Sequence, residues 1–367
     1  MNLVAAEVET LRLPLRRPLV TAAGVLAIRE GFLLRLTSAT GEVGIGEAGP
    51  AYWIGEGSLA RTADDLRRIV DLVRQEPTSA AGLRARFLAG EAVRSCSAAA
   101  ACALDSALLD LEARRQGVAL GALLGEEVAA EVAIAALVGG ATPELLMAEV
   151  DAALARGFRT VKLKVGSTVL ANDVARVAAV RQRVGARVGL RLDANRAWTL
   201  GDARLALADF APFGIEYLEE PLQGADPEEL AALARAAPVP LAVDESIVDA
   251  ADLQRLVMAG ARVQVILKAA RVGGPTRLVA LAQRARAAGL PVIVTDSIES
   301  AIGMSIAVHV AAALPGPGSA VGLGGAQLLA LAAGAASHPL GVPWLRPAGP
   351  GLVVAPGVVV GEGARCG

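Results

Sequence analysis

From residue 131 onward the chain repeats one pattern, a short run of β-branched and other apolar residues followed by a stretch rich in Ala, Leu and Arg. Eight such runs occur, at residues 132–138, 160–165, 188–193, 215–219, 241–244, 263–268, 292–296 and 320–323. The runs are typical of buried strands and the stretches between them of amphipathic helices. Eight such units in succession predict an α/β fold of the (β/α)8-barrel type. A doubly wound open sheet is the alternative, but its glycine-rich fingerprint is absent after the first run.

The first part of the chain has a different, mixed pattern. Strand-like alternation and helical spacing occur at residues 3–13, 31–36, 41–46, 58–73 and 95–116. We therefore predict an α+β capping domain over residues 1–125 and a barrel domain over 126–335. The segment 336–367, which has Gly and Pro at turn spacing and a strand-like run at 352–354, is expected to return to the capping domain.

Composition and charge exclude several classes of protein. Lys and Arg total 35 against 37 for Asp and Glu, a net charge of −2 that argues against a nucleic-acid or anionic-membrane binder. Three cysteines without a C-x-x-C pair favour a reducing, cytoplasmic setting, and Glu7 and Glu9 stand where a signal peptide needs an apolar core. No charged residue occurs between residues 301 and 345, but the longest unbroken apolar run there, 301–314, is shorter than the ~20 residues of a membrane span. The Ala-rich helices are compatible with a homo-oligomer.

Charged residues end five successive apolar runs. They are Lys162 and Lys164, Asp193, Glu219, Asp244 and Lys268. Each follows the last by about one strand–helix unit, so all are expected at one height on neighbouring strands, at the end where such barrels carry their chemistry. Because side chains alternate along a strand, Lys162 and Lys164 share one face and are expected to point into the barrel.

The three acidic residues predict a hard cation. Asp193, Glu219 and Asp244 would raise one another's pKa if they converged as ions. A divalent cation with six oxygen ligands removes this cost, and Mg²⁺, with Mn²⁺ as the alternative, suits carboxylates. Zinc is disfavoured, since the only histidines are His309 and His338, and His309 in its Ala/Val stretch is interpreted as a core residue.

The lysines predict acid–base chemistry beside that cation. Burial and neighbouring positive charge lower the pKa of a lysine, which can then act as a base. Lys164 and Lys268 lie four strands apart in the predicted barrel, so they would face a bound small-molecule carboxylate from opposite sides. The predicted reaction is abstraction of the proton α to that carboxylate. A Schiff-base aldolase and a non-catalytic barrel remain alternatives.

These motifs resemble the enolase superfamily, and within it the muconate lactonizing enzyme subgroup. The matching residues are Lys162-x-Lys164, Asp193-Ala194-Asn195, Glu219-Glu220-Pro221, Asp244-Glu245-Ser246 and Lys268. The resemblance implies that Asp193, Glu219 and Asp244 bind Mg²⁺, as that superfamily does with a lysine or histidine base. It also implies that Lys164 is the base, that Lys268 is the opposing cation, and that Lys162 tunes Lys164 electrostatically.

Three further stretches are similar to the o-succinylbenzoate synthase family of that subgroup, namely residues 190–198, residues 296–303, and Arg29-Glu30-Gly31 after residues 18–21. That family dehydrates 2-succinyl-6-hydroxy-2,4-cyclohexadiene-1-carboxylate to o-succinylbenzoate in menaquinone synthesis. The similarity implies substrate contacts, with loops near 21–29 and 52–54 closing over the succinyl tail. The implied contact residues are Asn195, Ser297, Ile298, Glu299 and Arg29.

Other members of the subgroup are weighed against the same residues. N-succinylamino acid racemases are the main alternative, because two opposed lysines also suit two-base racemisation. Dipeptide epimerases carry an acidic pair after the eighth run, and this chain lacks that pair. Mandelate racemase-like enzymes carry a histidine after the seventh run, where this chain has Asp296-Ser297. Lys268 is followed by Ala269-Ala270, where the family often has proline.

Overall fold

The structure is a computed structural model. It describes residues 1–21, 24–75, 78–91, 96–224, 226–314, 316, 320–322, 324–329, 344–345, 347 and 350–352.

The N-terminal part is an antiparallel three-stranded sheet, in the order β1-β2-β3, covered by three helices. Its elements are β1 (Leu3–Thr21), β2 (Gly24–Ser38), β3 (Val43–Ala48), α1 (Leu59–Gln75), α2 (Ala80–Leu88) and α3 (Ala98–Gln116). Helix α3 lies directly on β3. The approach is so close that a Cβ at Gly44 or Gly46 would overlap backbone atoms of that helix. The sequence pattern predicted the strands and two of the helices but missed α2.

The second part consists of strands and helices in alternation. The strands are β4 (Val132–Ala133), β5 (Ala136–Val138), β6 (Thr160–Lys164), β7 (Gly189–Asp193), β8 (Tyr217–Glu219), β9 (Leu241–Val243), β10 (Val263–Lys268), β11 (Val292–Thr295) and β12 (Trp344–Leu345). The helices are α4 (Pro143–Ala155), α5 (Leu170–Val184), α6 (Leu200–Phe210), α7 (Pro227–Ala236), α8 (Ala250–Met258), α9 (Ala269–Val272), α10 (Pro275–Ala287) and α11 (Ala301–Ala312).

The parallel strands curl into the predicted barrel, with β5 to β11 in sequence order. The eighth predicted strand, residues 320–323, is reduced to two bridges: Val321 pairs with Ile134, and Gly322 pairs with Thr295. The Gly322 N–H donates to the carbonyl of Val294 at 3.0 Å, and the Val321 N–H donates to Ala133 at 2.8 Å. These bonds close the ring where a full strand was expected; Leu323 lies outside the described residues.

The first predicted strand is divided in two because its halves pair differently. Val132–Ala133 pairs antiparallel with Trp344–Leu345, whereas Ala136–Val138 joins the barrel sheet beside β6. Further along, the N–H of Leu352 donates to the Asp110 carboxylate on α3 at 2.6 Å. These contacts connect the last described residues to both parts of the chain. The predicted strand at 352–354 extends beyond the described residues, and the predicted domain boundaries remain predictions.

The long apolar run is a buried helix. Helix α11 (Ala301–Ala312) is buried along almost its whole length. Its His309 is buried as predicted, and His309 Nδ1 accepts a hydrogen bond from the Gly121 N–H at 3.2 Å. Among the helices in the described ranges, none is long and apolar enough to cross a membrane.

Candidate active site

Strand register brings the predicted residues to one end of the barrel. Lys164 pairs with Asp193, and Asp193 pairs with Glu219, on adjacent strands. Glu219 pairs with Ala242 on β9, and Asp244 directly follows that strand, two residues after Ala242, so its side chain is expected on the same side of the sheet as that of Ala242. The three carboxylates are at most 3% exposed. Below them the barrel interior is filled by an apolar layer of Tyr217, Ala242, Ile266 and Ile293.

Lys162 lies between two of the carboxylates. Its Nζ is 2.9 Å from Asp193 Oδ2 and 2.7 Å from Glu219 Oε1. Burial lowers the pKa of Lys162, but the Asp193 and Glu219 charges raise it more, and the pKa lies well above its usual value. The acidic side chains on the next strands thus compensate the buried ammonium of Lys162. The lowered pKa predicted for a lysine base beside a bound cation concerns Lys164, and it stays a prediction.

Asp244 is held by two cations. Lys268 Nζ lies 2.6 Å from Asp244 Oδ2, and the Arg271 guanidinium binds Asp244 Oδ1. Although burial raises the pKa of Asp244, Arg271 and Lys268 hold it well below its usual range. Arg271 Nε also binds Glu56 of the capping domain at 2.8 Å, so the two parts of the chain meet at this carboxylate. Sequence analysis missed Arg271, although its place one helical turn after Lys268 was a usable signal.

Lys164 is the most accessible of the three lysines. Its side chain is 43% exposed, against 15% for Lys162 and 13% for Lys268. Its Nζ lies 3.6 Å from Asp193 Oδ2 and donates to Asn195 Oδ1. The Asn195 amide in turn donates to Glu245 Oε1 at 3.1 Å. The structure therefore places Asn195 where it can fix the direction of the Lys164 amine.

The three carboxylates are ligands of the type that Mg²⁺ prefers, although their oxygens do not converge on one point in this structure. Within the described ranges, no three Asp, Glu, His or Cys side chains are arranged to hold a metal ion. The ammonium and guanidinium groups that contact Asp193, Glu219 and Asp244 occupy much of their hydrogen-bonding capacity. Glu219 Oε2, however, is buried without any partner, and burial raises the pKa of Glu219 to about 8. A dication at this oxygen would satisfy it and favour the ionised form.

The backbone at this end of the barrel is strained. In the described chain, the non-glycine residues with positive φ are Asn195, Arg196, Glu220 and Ile298, at 42°, 62°, 43° and 59°. All four follow barrel strands β7, β8 or β11. Glu220 itself binds the N–H of Asp244 at 2.7 Å, so it orients a neighbouring carboxylate through the backbone. Such conformations cost about 1–3 kcal/mol each and cluster at functional sites.

The remaining predicted contact residues lie at the seam between the two domains. The turn after β11 contains Ser297, Ile298 and Glu299. Ser297 and Glu299 are buried, and Ile298 is half-buried. Arg29 is 1% exposed and lies 4.5 Å above the Trp53 ring, with Nε and Nη2 lacking a partner. Burial, followed by the charges of Glu47 and Asp296, raises the pKa of Glu299 to about 8. The structure thus groups Arg29 with Glu299 and places Asn195 separately, beside Lys164.

A simple count in the sequence also marks this site. Of the 35 Lys and Arg residues in the chain, only three are lysines, and these are Lys162, Lys164 and Lys268. All three contact the buried carboxylates. Lysine, unlike arginine, can lose its proton in a protein, so these three are the Lys and Arg side chains of the sequence that are suited to act as a base.

Comparison with known proteins shows the family to which the chain belongs. Residues 5–125 match the mandelate racemase / muconate lactonizing enzyme N-terminal domain, and residues 145–354 match the enolase C-terminal domain-like family. The chain belongs to the enolase superfamily, in its mandelate racemase / muconate lactonizing enzyme family.

Relatives within the family differ in activity. The chain is 34% identical over 334 residues to the N-succinylamino acid racemase of Amycolatopsis sp., covering 87% of each chain. It is 40% identical over 192 residues to the o-succinylbenzoate synthase of Mycolicibacterium smegmatis, covering 51% of this chain and 57% of the relative. A dipeptide epimerase structure from Enterococcus faecalis V583, with Mg and L-Leu-L-Tyr, superimposes with a TM-score of 0.85 at 26% identity, covering 97% of this chain and 99% of the other.

Proposed function

We propose that the protein is a Mg²⁺-dependent dehydratase that converts 2-succinyl-6-hydroxy-2,4-cyclohexadiene-1-carboxylate to o-succinylbenzoate, as in menaquinone synthesis. One observation carries the proposal of carbon-acid chemistry. Lys164 and Lys268 end strands four apart in the barrel, and the buried carboxylates of Asp193, Glu219 and Asp244 follow the strands between them. The choice of dehydration rests on the local 40% identity to a synthase and on the similar stretches at 190–198 and 296–303.

Asp193, Glu219 and Asp244 would hold the ion, with Mn²⁺ as a substitute for Mg²⁺. When bound, Mg²⁺ supplies positive charge that stabilises the enediolate form of a carboxylate substrate. The donor set supports this assignment: three ionisable oxygen ligands, one of them with a buried oxygen that has no partner. The Mg in the Enterococcus faecalis structure supports it by analogy.

The lysines would carry the proton and the charge. Lys164, as the base, takes the proton from the ring carbon that bears the carboxylate. The bond between the neighbouring ring carbon and its hydroxyl then breaks, and Lys164 returns the proton to the departing hydroxide as water. Lys268, on the opposite side and 13% exposed, stays protonated and stabilises the intermediate. Lys162, which lies between two carboxylates, tunes Lys164 electrostatically through its positive charge.

A second candidate is N-succinylamino acid racemisation. The 34% identity to the Amycolatopsis racemase covers 87% of each chain, which is a longer match than the one to the synthase. Two lysines on opposite sides suit removal of a proton from one face and its return on the other. In that reaction Lys268 would also exchange a proton with the substrate, so the two candidates assign it different roles.

The two activities can be separated in one experiment. The purified protein with Mg²⁺ is incubated in D₂O with the cyclohexadiene substrate and, separately, with an N-succinyl amino acid. We expect dehydration with kcat/KM of about 10⁴ M⁻¹s⁻¹ or more, and much slower exchange of deuterium into the α-position of the amino acid. Faster α-deuteration than dehydration would assign the protein as a racemase instead.

A further inference from the structure

A capping-domain glutamate binds the start of a barrel helix. Glu47, near the end of β3, is 3% exposed. It accepts hydrogen bonds from the Ser300 N–H at 3.1 Å, from the Gly303 N–H at 3.0 Å, and from the Ser300 hydroxyl. These amides belong to the first turn of α11, which has no helical acceptors for them. The carboxylate also stabilises the positive end of the helix dipole.

The approach between the two domains at this point is close. A Cβ at Gly303 would lie 2.5 Å from the Glu299 Cβ and 3.0 Å from Glu47 Oε2. A side chain there would overlap the Glu299 side chain and crowd the Glu47 carboxylate. Glycine at this position therefore permits the Glu47 contact.

The Glu47 contact lies next to three of the predicted substrate-contact residues. Ser297, Ile298 and Glu299 directly precede Ser300, which is the N-cap of α11. Ile298 has a φ of 59° and packs against the capping-domain cluster that contains Trp53. A β-branched residue persists in that conformation only where its surroundings impose it. Glu47, bonded two residues further on, supplies part of that constraint.

We propose that Glu47 is a positioning residue, which acts through Ser300 to hold residues 297–299 in the geometry that the substrate meets. The contact between the two domains and the position of residues 297–299 are then established together. This inference rests on the proposed function in so far as those residues contact the substrate, but it does not depend on whether the reaction is dehydration or racemisation.

The chain offers a matched control. Asp105 on α3 is also a buried capping-domain carboxylate at the start of a barrel helix, and it binds the Thr276 N–H at 2.8 Å and the Thr276 hydroxyl at 2.9 Å. The helix whose start Asp105 binds is α10, and α9 separates it from Lys268. Asp105→Ala therefore removes a comparable contact between the domains, by the same kind of truncation as Glu47→Ala, without touching residues 297–299.

The test combines hydrogen exchange with kinetics on Glu47→Ala, Glu47→Gln and Asp105→Ala. In Glu47→Ala we expect amides 297–303 to exchange at least about tenfold faster, and kcat/KM to fall about 10–100-fold, mainly through KM. Mg²⁺ affinity should stay within about threefold of wild type, because no metal-site residue touches Glu47 among its observed contacts. Glu47→Gln retains an acceptor oxygen and should recover most of the loss.

Two results would overturn the proposal. One is unchanged exchange at 297–303 or an unchanged KM in Glu47→Ala; the other is an equal rise of KM in Asp105→Ala, which would mean that any lost domain contact has the effect. If Glu47→Ala does not fold, Glu47→Leu, which also removes both acceptor oxygens but fills the buried space, is read against the same criteria. If the wild-type protein acts on neither proposed substrate, the proposed function fails, whereas hydrogen exchange still decides the role of Glu47.

Discussion

Replacing Lys164 with arginine should lower kcat for dehydration by about 10³–10⁴-fold. Arginine keeps the positive charge and much of the length but cannot be deprotonated in a protein, so it cannot take the α-proton. Lys268→Arg should cost at most about 10²-fold, because the proposed role of Lys268 requires only a cation. Steady-state kinetics on both variants, with circular dichroism to confirm folding, measures the difference.

The comparison between the two variants carries the information. Lys164 and Lys268 are both lysines at strand ends beside buried carboxylates, so a general effect of a larger side chain should appear in both. If Lys164→Arg keeps more than about a tenth of the wild-type kcat, Lys164 is not the base. Equal, near-complete losses in both variants would instead mean that Lys268 also transfers a proton, which is the role that the racemase candidate assigns to it.

Removing the metal, or one of its ligands, should have an effect of similar size. Chelation with EDTA should abolish activity, and Mg²⁺ or Mn²⁺ should restore it. Asp193→Asn, Glu219→Gln and Asp244→Asn should each raise the dissociation constant for Mg²⁺ by at least about 10²-fold, since each removes one of three charged ligands. Titration calorimetry on the chelator-treated protein measures these constants.

Glu216→Gln is the matched control for the metal variants. Glu216 precedes Glu219 by three residues, but its carboxylate binds Arg191 at 2.6 Å and is 39% exposed. Its loss should leave the affinity for Mg²⁺ unchanged. Activity that survives exhaustive chelation, or equal losses of affinity in Glu216→Gln and Glu219→Gln, would argue against the assigned ligands.

Local sequence patterns predicted those parts of the site that repeat with the strand–helix unit. The spacing from Lys164 to Asp193 and on to Glu219 reflects one unit each, and the structure pairs these residues directly across adjacent strands. The fold class followed from the same repeat. The eighth strand was overestimated because Val321 and Gly322 close the barrel with single bridges, which an apolar run does not distinguish from a full strand.

Contacts between distant parts of the chain could not be predicted in this way. Glu56 meets Arg271 and Glu47 meets Ser300 across more than 200 residues of sequence. Neither contact has a periodic signal, because each depends on how the capping domain sits on the barrel.

Locating a bound ion tests the central claim most directly. In crystals grown with Mn²⁺, anomalous scattering should show one ion per chain at the barrel mouth, with oxygens of Asp193, Glu219 and Asp244 as ligands at about 2.1–2.2 Å. Lys164 and Lys268 should flank it from opposite sides. An ion bound elsewhere, or carboxylates still paired with Lys162 and Arg271 at saturating Mn²⁺, would contradict the claim.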